Sequence, residues 1–199
     1  MTTTNLAPTQ FELTGESKVG IHGITVYRIR ATKDIPKLGV KAGDVGGWVQ
    51  SLHLENGSAR VGDSAWVSGN AQVSGDARVY GAAWVFGNAQ VYGDAWVYGD
   101  AQVYGDAWVS GNAQVERTWH LITVGPIGSE NVTATLFRTK DGKHALIVGC
   151  WTGTLGTLMA EVKRRRESWA GDEAQHEAWT AQYKALKALG KATVGRWAE

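Results

Sequence analysis

One six-residue motif, repeated without an insertion from Val61 to Trp119, constrains this chain more than any other feature. Valine occupies every sixth position from Val61 to Val115, and alanine follows each of the first nine valines by four places. From Gly69 onward, a glycine precedes each of these alanines by two positions. A period of six fits neither the 3.6-residue turn of an α-helix nor the two-residue alternation of a strand. The chain must therefore change direction once in every six residues.

The Gly-Asp and Gly-Asn pairs of the repeat supply that change of direction. Glycine, and to a lesser degree asparagine and aspartate, tolerates the positive φ angles of tight corners. Short strands centred on valine then alternate with corners, and alanine fits the crowded inner side of each corner. Three strands complete a triangular coil of about eighteen residues, and successive coils stack at the strand spacing of about 4.8 Å. We expect the valines to fill the interior.

Nine uninterrupted repeats with an aliphatic first residue and a small fifth residue resemble the hexapeptide-repeat superfamily of left-handed parallel β-helices. The resemblance implies a mainly β protein with a short left-handed β-helix at residues 48–119, and a homotrimer. Further segments of the chain resemble hexapeptide-repeat proteins carried by phages and prophages. These segments are the lead-in KAGDVGGWV, repeats of the SGNAQ and VYGDAW type, and the later stretches TVGPIGS, RTKDG and GCWTGT.

Residues 1–47 are predicted to form an N-terminal β cap. The stretches FELTGESKV and ITVYRIRAT are rich in β-branched and aromatic residues and flank a turn at Gly20 to Gly23, which is typical of a hairpin. The first coil of a β-helix would otherwise expose unpaired backbone groups at its edge. We therefore expect this hairpin to cover that edge.

Residues 120–199 are predicted to form a C-terminal α/β module. HLITVGPIGSENV is turn-rich, and the next segment is typical of a hairpin that turns at Asp141-Gly142. The stretch from Trp151 to Trp169 predicts an amphipathic helix. A second helix is predicted from Asp172, a good N-cap, to Leu189, with Gly190 as its stop.

Composition excludes several classes of function. The formal charge of +1 gives no general attraction to nucleic acid, so a nucleic-acid partner is not expected. The single cysteine, Cys150, excludes an internal disulfide framework and fits a reducing compartment. The start MTTTNLAPTQ lacks the features of a secretory signal, and no apolar run has the length of a membrane span. We expect a soluble, cytoplasmic protein without a membrane partner.

Folding the repeat at eighteen residues per coil places aromatic residues in a column on one outer face. We call this the second face, and its predicted aromatic members are Trp48, Trp66, Trp84, Phe86 and Tyr104. Such a column would expose more apolar surface than a monomer usually leaves bare. A homotrimer contact or packing by the chain's own terminal segments would cover it, and a ligand-binding platform or simple stacking within the column are further readings. We predict that these five residues form a partner or oligomer interface.

Two other columns follow from the same folding. On the neighbouring first face, Arg78 is expected to lie over Trp96 as a cation–π pair. At the corners, Asn70, Asn88 and Asp106 are expected to form a ladder of amide hydrogen bonds that ends in a carboxylate. Asp76 and Asp94 are expected to stack with Asn112 in another corner column. We predict no metal site there, because two carboxylates fall short of the six to eight oxygen ligands that calcium requires.

Two glycine-rich segments near basic residues suggest a phosphate or nucleotide site in the C-terminal module. Free backbone N–H groups at a glycine turn or a helix N-terminus can hold a phosphate, and a tryptophan can stack on a base. The candidate residues are Gly125, Gly128, Ser129, Arg138, Lys140, Trp151, Thr152 and Thr154.

No catalytic constellation is evident, and we expect neither an enzyme nor a cofactor. Acyltransferases of the hexapeptide superfamily use a histidine base and often a loop extruded from the coils, and this repeat has neither. His53 and His120 flank the coils and are the candidate bases for that alternative. Cys150 near His144 is more typical of a small hydrophobic residue than of a nucleophile.

The expected function is therefore binding. The phage resemblance implies an accessory protein that interferes with a host system, such as a defence system, by binding a host protein or by sequestering a signalling nucleotide. The alternatives are an acyl-CoA-dependent acyltransferase and a structural component of the virion.

Overall fold

The computed structural model describes residues 9–20, 23–54 and 60–197. The chain divides into two compact units, the first ending at Thr118 and the second beginning at Trp119. The first unit contains the strands β1 (Phe11–Val19), β2 (Thr25–Ala31), β3 (Val45–Val49), β4 (Trp66–Val67), β5 (Gln72–Val73), β6 (Arg78–Val79), β7 (Trp84–Val85), β8 (Gln90–Val91), β9 (Trp96–Val97), β10 (Gln102–Val103), β11 (Trp108–Val109) and β12 (Gln114–Val115). The second contains β13 (Leu121–Ile127), β14 (Val132–Arg138), β15 (His144–Val148), β16 (Trp151–Gly153), α1 (Leu158–Arg166) and α2 (Glu173–Gly195).

The repeat forms two-residue strands that return to the same sheet at every third strand. One sheet has the order β10-β7-β4, the second β12-β9-β6, and the third continues β3 through β5 and β8 to β11. All pairing within the coils is parallel, so that Val67 lies on Val85 and Val85 on Val103. These valines are fully buried, as are the corner alanines such as Ala83. The predicted eighteen-residue coil with a valine interior is confirmed.

Glycine is required at the corners for two separate reasons, which Gly81 illustrates. Its φ of +69° lies in the left-handed region, where a side chain is unfavourable. A Cβ at this position would also lie 2.9 Å from both the N and O atoms of Gly99 in the next coil. At Gly81 the backbones of successive corners therefore stack too closely for any other residue.

The predicted N-terminal hairpin joins the third sheet of the coils. β1 pairs antiparallel with β2, β2 pairs antiparallel with β3, and β3 pairs parallel with β5. The third sheet therefore has six strands in the order β1-β2-β3-β5-β8-β11.

The pairing of β3 corrects the predicted position of Trp48. Trp48 pairs with Gln72 at a sequence separation of 24 residues, whereas successive coils of the repeat are separated by 18. The six additional residues move Trp48 by one strand, to the third sheet, away from Trp66 and Trp84. The sequence between Trp48 and Val61 lacks the six-residue motif, and the eighteen-residue spacing therefore does not apply to Trp48.

The second unit is a four-stranded antiparallel sheet with two helices. Its strand order is β13-β14-β15-β16, and the hairpin at Asp141-Gly142 occurs as predicted. The helices cover one face of the sheet, where Leu136, Leu146, Leu158 and Leu186 are almost fully buried together. None of the helices in the described ranges combines the length and the apolar composition that crossing a lipid bilayer requires.

Three predictions for this unit need correction. The supposed turn-rich passage before Gly128 is strand β13, because its alternating apolar residues pair with β14. The first helix begins only at Leu158, because Trp151–Gly153 is already the edge strand β16. The second helix has Asp172 as its N-cap, as predicted, but continues through Gly190 to Gly195. Gly190 is buried inside the helix, where a Cβ would lie 2.6 Å from Leu155.

Candidate functional site

The aromatic column of the second face exists in the first unit, but it is shorter than predicted. Trp84 and Phe86 have ring centroids 4.5 Å apart, and Phe86 stacks on Tyr104 with centroids 5.3 Å apart and an interplanar angle of 16°. The indole N–H of Trp84 donates a hydrogen bond to the Ser68 hydroxyl at 2.9 Å, which fixes the ring. Tyr104 is 48% exposed. The end of the column at Phe86 and Tyr104 is therefore an accessible aromatic surface.

The N-terminal hairpin covers the other two predicted interface residues. Trp66 is only 4% exposed, because Phe11 of β1 packs on it with ring centroids 5.7 Å apart. Trp48 is buried under the basic side chains of Lys18 and Arg28, which lie 4.3 Å and 5.2 Å from its ring centroid. Packing by the chain's own terminal segment therefore accounts for these two tryptophans, and the surface left for a partner consists of Trp84, Phe86 and Tyr104.

The first face carries a second exposed aromatic group. Trp96 is 40% exposed, and the Arg78 guanidinium lies 5.2 Å from its ring centroid, as the predicted cation–π pair. Next to it, Tyr98 accepts a hydrogen bond from Gln114 at 2.7 Å. Arg78 therefore covers one side of the Trp96 ring, and the Tyr98 hydroxyl has a hydrogen-bond partner.

The corner ladder is also present. Asn70 donates to the Asn88 side-chain oxygen at 3.3 Å, and Asn88 donates to Asp106 at 3.0 Å. The ladder links three successive coils, which is a structural role. Among the described residues, no group of three or more His, Cys, Asp or Glu side chains is arranged to hold a metal ion.

The structure does not bring the predicted nucleotide-binding residues together. The turn with Gly128 and Ser129 lies at the start of β14, whereas Arg138 and Lys140 lie at its far end. Six residues of extended strand separate the two ends by about 20 Å. Trp151 begins β16 near the glycine turn, and Thr154 follows that strand at the opposite end. The eight residues are therefore spread between the two ends of the strands and do not surround one site.

Two of the N–H groups proposed to hold a phosphate are already used within the fold. The Gly128 N–H donates to the side-chain oxygen of Gln182 at 2.7 Å, and the Thr154 N–H donates to the Thr157 hydroxyl at 3.0 Å. Gly125 precedes a cis proline inside β13, and Thr152 pairs with Ile147 in the sheet. These segments serve the fold, as glycine turns and strand ends commonly do.

Within the residues that the structure describes, His120, His144 and Cys150 are not grouped as a nucleophile with its base. His120 is 6% exposed and packs edge-to-face against Trp119 and Trp197, each with ring centroids 6.3 Å away. His144 is the first residue of β15, whereas Cys150 follows the other end of that strand. Cys150 is exposed, and Arg165 Nη2 lies 3.5 Å from its sulfur.

A pocket that the sequence did not predict lies in the second unit beside the C-terminal half of α2. It has a volume of about 450 Å³ and is lined by His144, Leu155, Gly156, Lys187, Lys191, Val194 and Gly195. The sequence feature that could have indicated this pocket is the segment KALKALGKA, whose lysines recur at helical spacing beside the leucines of the same helix. Because the helix was predicted to stop at Gly190, the lining residues Lys191, Val194 and Gly195 were not expected to lie on it.

Comparison with known proteins identifies the repeat and nothing else. The family described as the YdcK β-solenoid repeat matches residues 71–87 and 101–117. No curated protein and no solved structure matches the chain. The matched residues lie within the stacked coils, and the similarity therefore supports a repeat β-solenoid as the fold of this region.

Proposed function

We propose that this protein is a non-enzymatic binding protein of the kind that phages carry as accessory factors. It acts in the cytoplasm of the host and interferes with a host system, such as a defence system, by binding a host protein. Its β-solenoid is a left-handed hexapeptide helix, and three chains associate through it. The N-terminal hairpin acts as its cap.

The observation that carries this proposal is the stacked pair of Phe86 and Tyr104. A flat aromatic pair with a half-exposed ring is typical of the centre of a protein interface, where tyrosine and other aromatic residues are enriched. The pair lies on a rigid parallel sheet and is held from one side by Trp84. A partner would therefore meet a surface that needs little reordering, which lowers the entropic cost of binding.

The proposal is tested by removing the exposed aromatic groups of each face separately. We expect the double substitution Phe86→Ala with Tyr104→Ala to abolish self-association in sedimentation velocity, with an unchanged circular dichroism spectrum. The matched control is Trp96→Ala with Tyr98→Ala on the first face, which should leave the sedimentation coefficient unchanged. Loss of association in the control alone would transfer the interface to the first face and contradict the proposal.

Three further experiments separate the alternatives. Nucleotide sequestration would require Arg138→Ala with Lys140→Ala to abolish ligand retention from a metabolite extract. An acyltransferase would release CoA from acyl-CoA with some acceptor, and His53→Ala or His120→Ala would stop the release. A virion component would be present in purified particles. We expect none of these results.

A further inference from the structure

The pocket beside α2 combines an apolar wall with unpaired cationic side chains. Its volume of about 450 Å³ falls within the range of 300–1,000 Å³ that is typical of small-molecule sites. We propose that it binds a small amphipathic anion, with an apolar body against Leu155 and Val194 and an anionic head group on Lys187 and Lys191. The proposal is independent of the assembly of the β-solenoid.

The space in the pocket exists because two of its residues have no side chain. A Cβ on Gly195 would have no heavy atom within 4 Å, and a Cβ on Gly156 would meet only the Thr154 hydroxyl, at 3.3 Å. Leu155 is 4% exposed and belongs to the core of this unit, and Val194 packs against the same core. The apolar wall is therefore rigid and continuous with the core.

The charges at the pocket favour an anion over a neutral or cationic ligand. Lys187 and Lys191 lie one helical turn apart on α2, so their like charges destabilise each other slightly. Within the described residues, neither lysine has an acidic partner within 4 Å, whereas Lys143 is paired with Asp141 at 3.2 Å. No carboxylate is among the pocket's lining residues. A bound anion would relieve this repulsion.

The lining residue His144 has a cationic neighbour on the adjacent strand. Arg138 lies directly opposite His144 in the ladder of β14 and β15, so both side chains project from the same face of the sheet. Arg138 Nε is buried, and it has no hydrogen-bond partner in the part of the chain that the structure describes. His144 Nε2 accepts a hydrogen bond from the Leu155 N–H at 3.2 Å, which leaves the ring proton on Nδ1. The His144 ring therefore offers a donor and has no free acceptor.

The test uses isothermal titration calorimetry of the whole protein with octanoate, octyl phosphate and 1-octanol. We expect both anions to bind and the alcohol, which has the same chain, to bind at least tenfold more weakly. Tighter binding of octyl phosphate would identify a phosphate head group, and tighter binding of octanoate would identify a carboxylate. Equal binding of the alcohol, or no binding of either anion at millimolar concentration, would overturn the proposal.

Two variants connect the binding to this pocket. Lys187→Gln with Lys191→Gln should weaken anion binding at least tenfold, whereas the control Lys163→Gln with Lys184→Gln should change it less than twofold. Gly195→Leu should fill the pocket and prevent binding without loss of thermal stability, because leucine is the better helix former. Unchanged binding in either pocket variant would place the ligand elsewhere and refute the assignment.

Discussion

The stacking of glycine corners predicts that the same substitution has different costs in different coils. Gly81 and Gly111 have similar φ angles of +69° and +60°. A Cβ on Gly81 would lie 2.9 Å from backbone atoms of Gly99, whereas a Cβ on Gly111 would have no atom within 4 Å. Alanine at either position therefore carries the strain of the left-handed conformation, and only Gly81→Ala adds a collision between coils.

The expected magnitudes follow from these two contributions. The left-handed conformation costs about 1–2 kcal/mol for a residue with a Cβ. Forcing a further methyl group into a packed interior adds about 1–3 kcal/mol, and the colliding atoms belong to the backbone, which cannot rotate away. We expect Gly111→Ala to lower the free energy of unfolding by about 1–2 kcal/mol and Gly81→Ala by about 2–5 kcal/mol.

Urea denaturation followed by tryptophan fluorescence measures the difference directly. With unchanged m values, the midpoint of Gly81→Ala should lie clearly below that of Gly111→Ala, since the midpoint is proportional to stability at constant m. Circular dichroism before denaturation checks that both variants fold. Equal midpoints, or a lower midpoint for Gly111→Ala, would refute the close stacking of successive corners.

Three predictions concern the second unit. Gly190→Ala should lower the free energy of unfolding by about 1 kcal/mol in urea denaturation, because its Cβ would lie 2.6 Å from Leu155 and this collision outweighs the better helix propensity of alanine. Gly195→Ala, whose Cβ would meet no atom within 4 Å, should instead raise stability, and a similar gain for Gly190→Ala would contradict the packing. Asp172→Ala should cost about 1 kcal/mol and lower Tm by about 2–4 °C, because the Asp172 side chain accepts from the Gln175 N–H; an unchanged Tm would show that the cap is dispensable. Burial lowers the pKa of His144 below 6.5, so the unfolded chain binds this proton more readily than the folded protein. The stability that depends on a neutral His144 should therefore be complete above about pH 6.5 and decline as the pH falls towards the folded-state pKa. The difference in urea midpoint between His144→Gln and the wild type should change with pH over that interval and stay constant above it.

The repeat could be predicted from the sequence because each of its residues has a single physical role. Valine at every sixth place fills the interior, and glycine permits the left-handed corner, so period, direction of the side chains and face assignments follow without knowledge of the rest. The cation–π pair of Arg78 with Trp96 and the ladder from Asn70 to Asp106 were predicted correctly for this reason.

The remaining features depend on contacts that no local pattern encodes. Trp48 was assigned to the wrong face because the segment between it and Arg60 does not follow the six-residue period, so its register is set by the pairing of β3 with β5. Burial of Trp66 depends on Phe11, which is 55 residues away in sequence. The end of α2 was misplaced because Gly190 has a packing role against Leu155 instead of a terminating role. The pocket with Lys187 and Lys191 could not be predicted without that helix length.

Native mass spectrometry of the purified wild-type protein is the most direct test of the proposed assembly through the β-solenoid. The proposal predicts a species of three chains, each of 21.4 kDa, at micromolar concentration. The same experiment on the Phe86→Ala, Tyr104→Ala variant should give single chains. A wild-type protein that remains a single chain, or a variant that keeps its three-chain mass, would contradict the aromatic second face as the association surface.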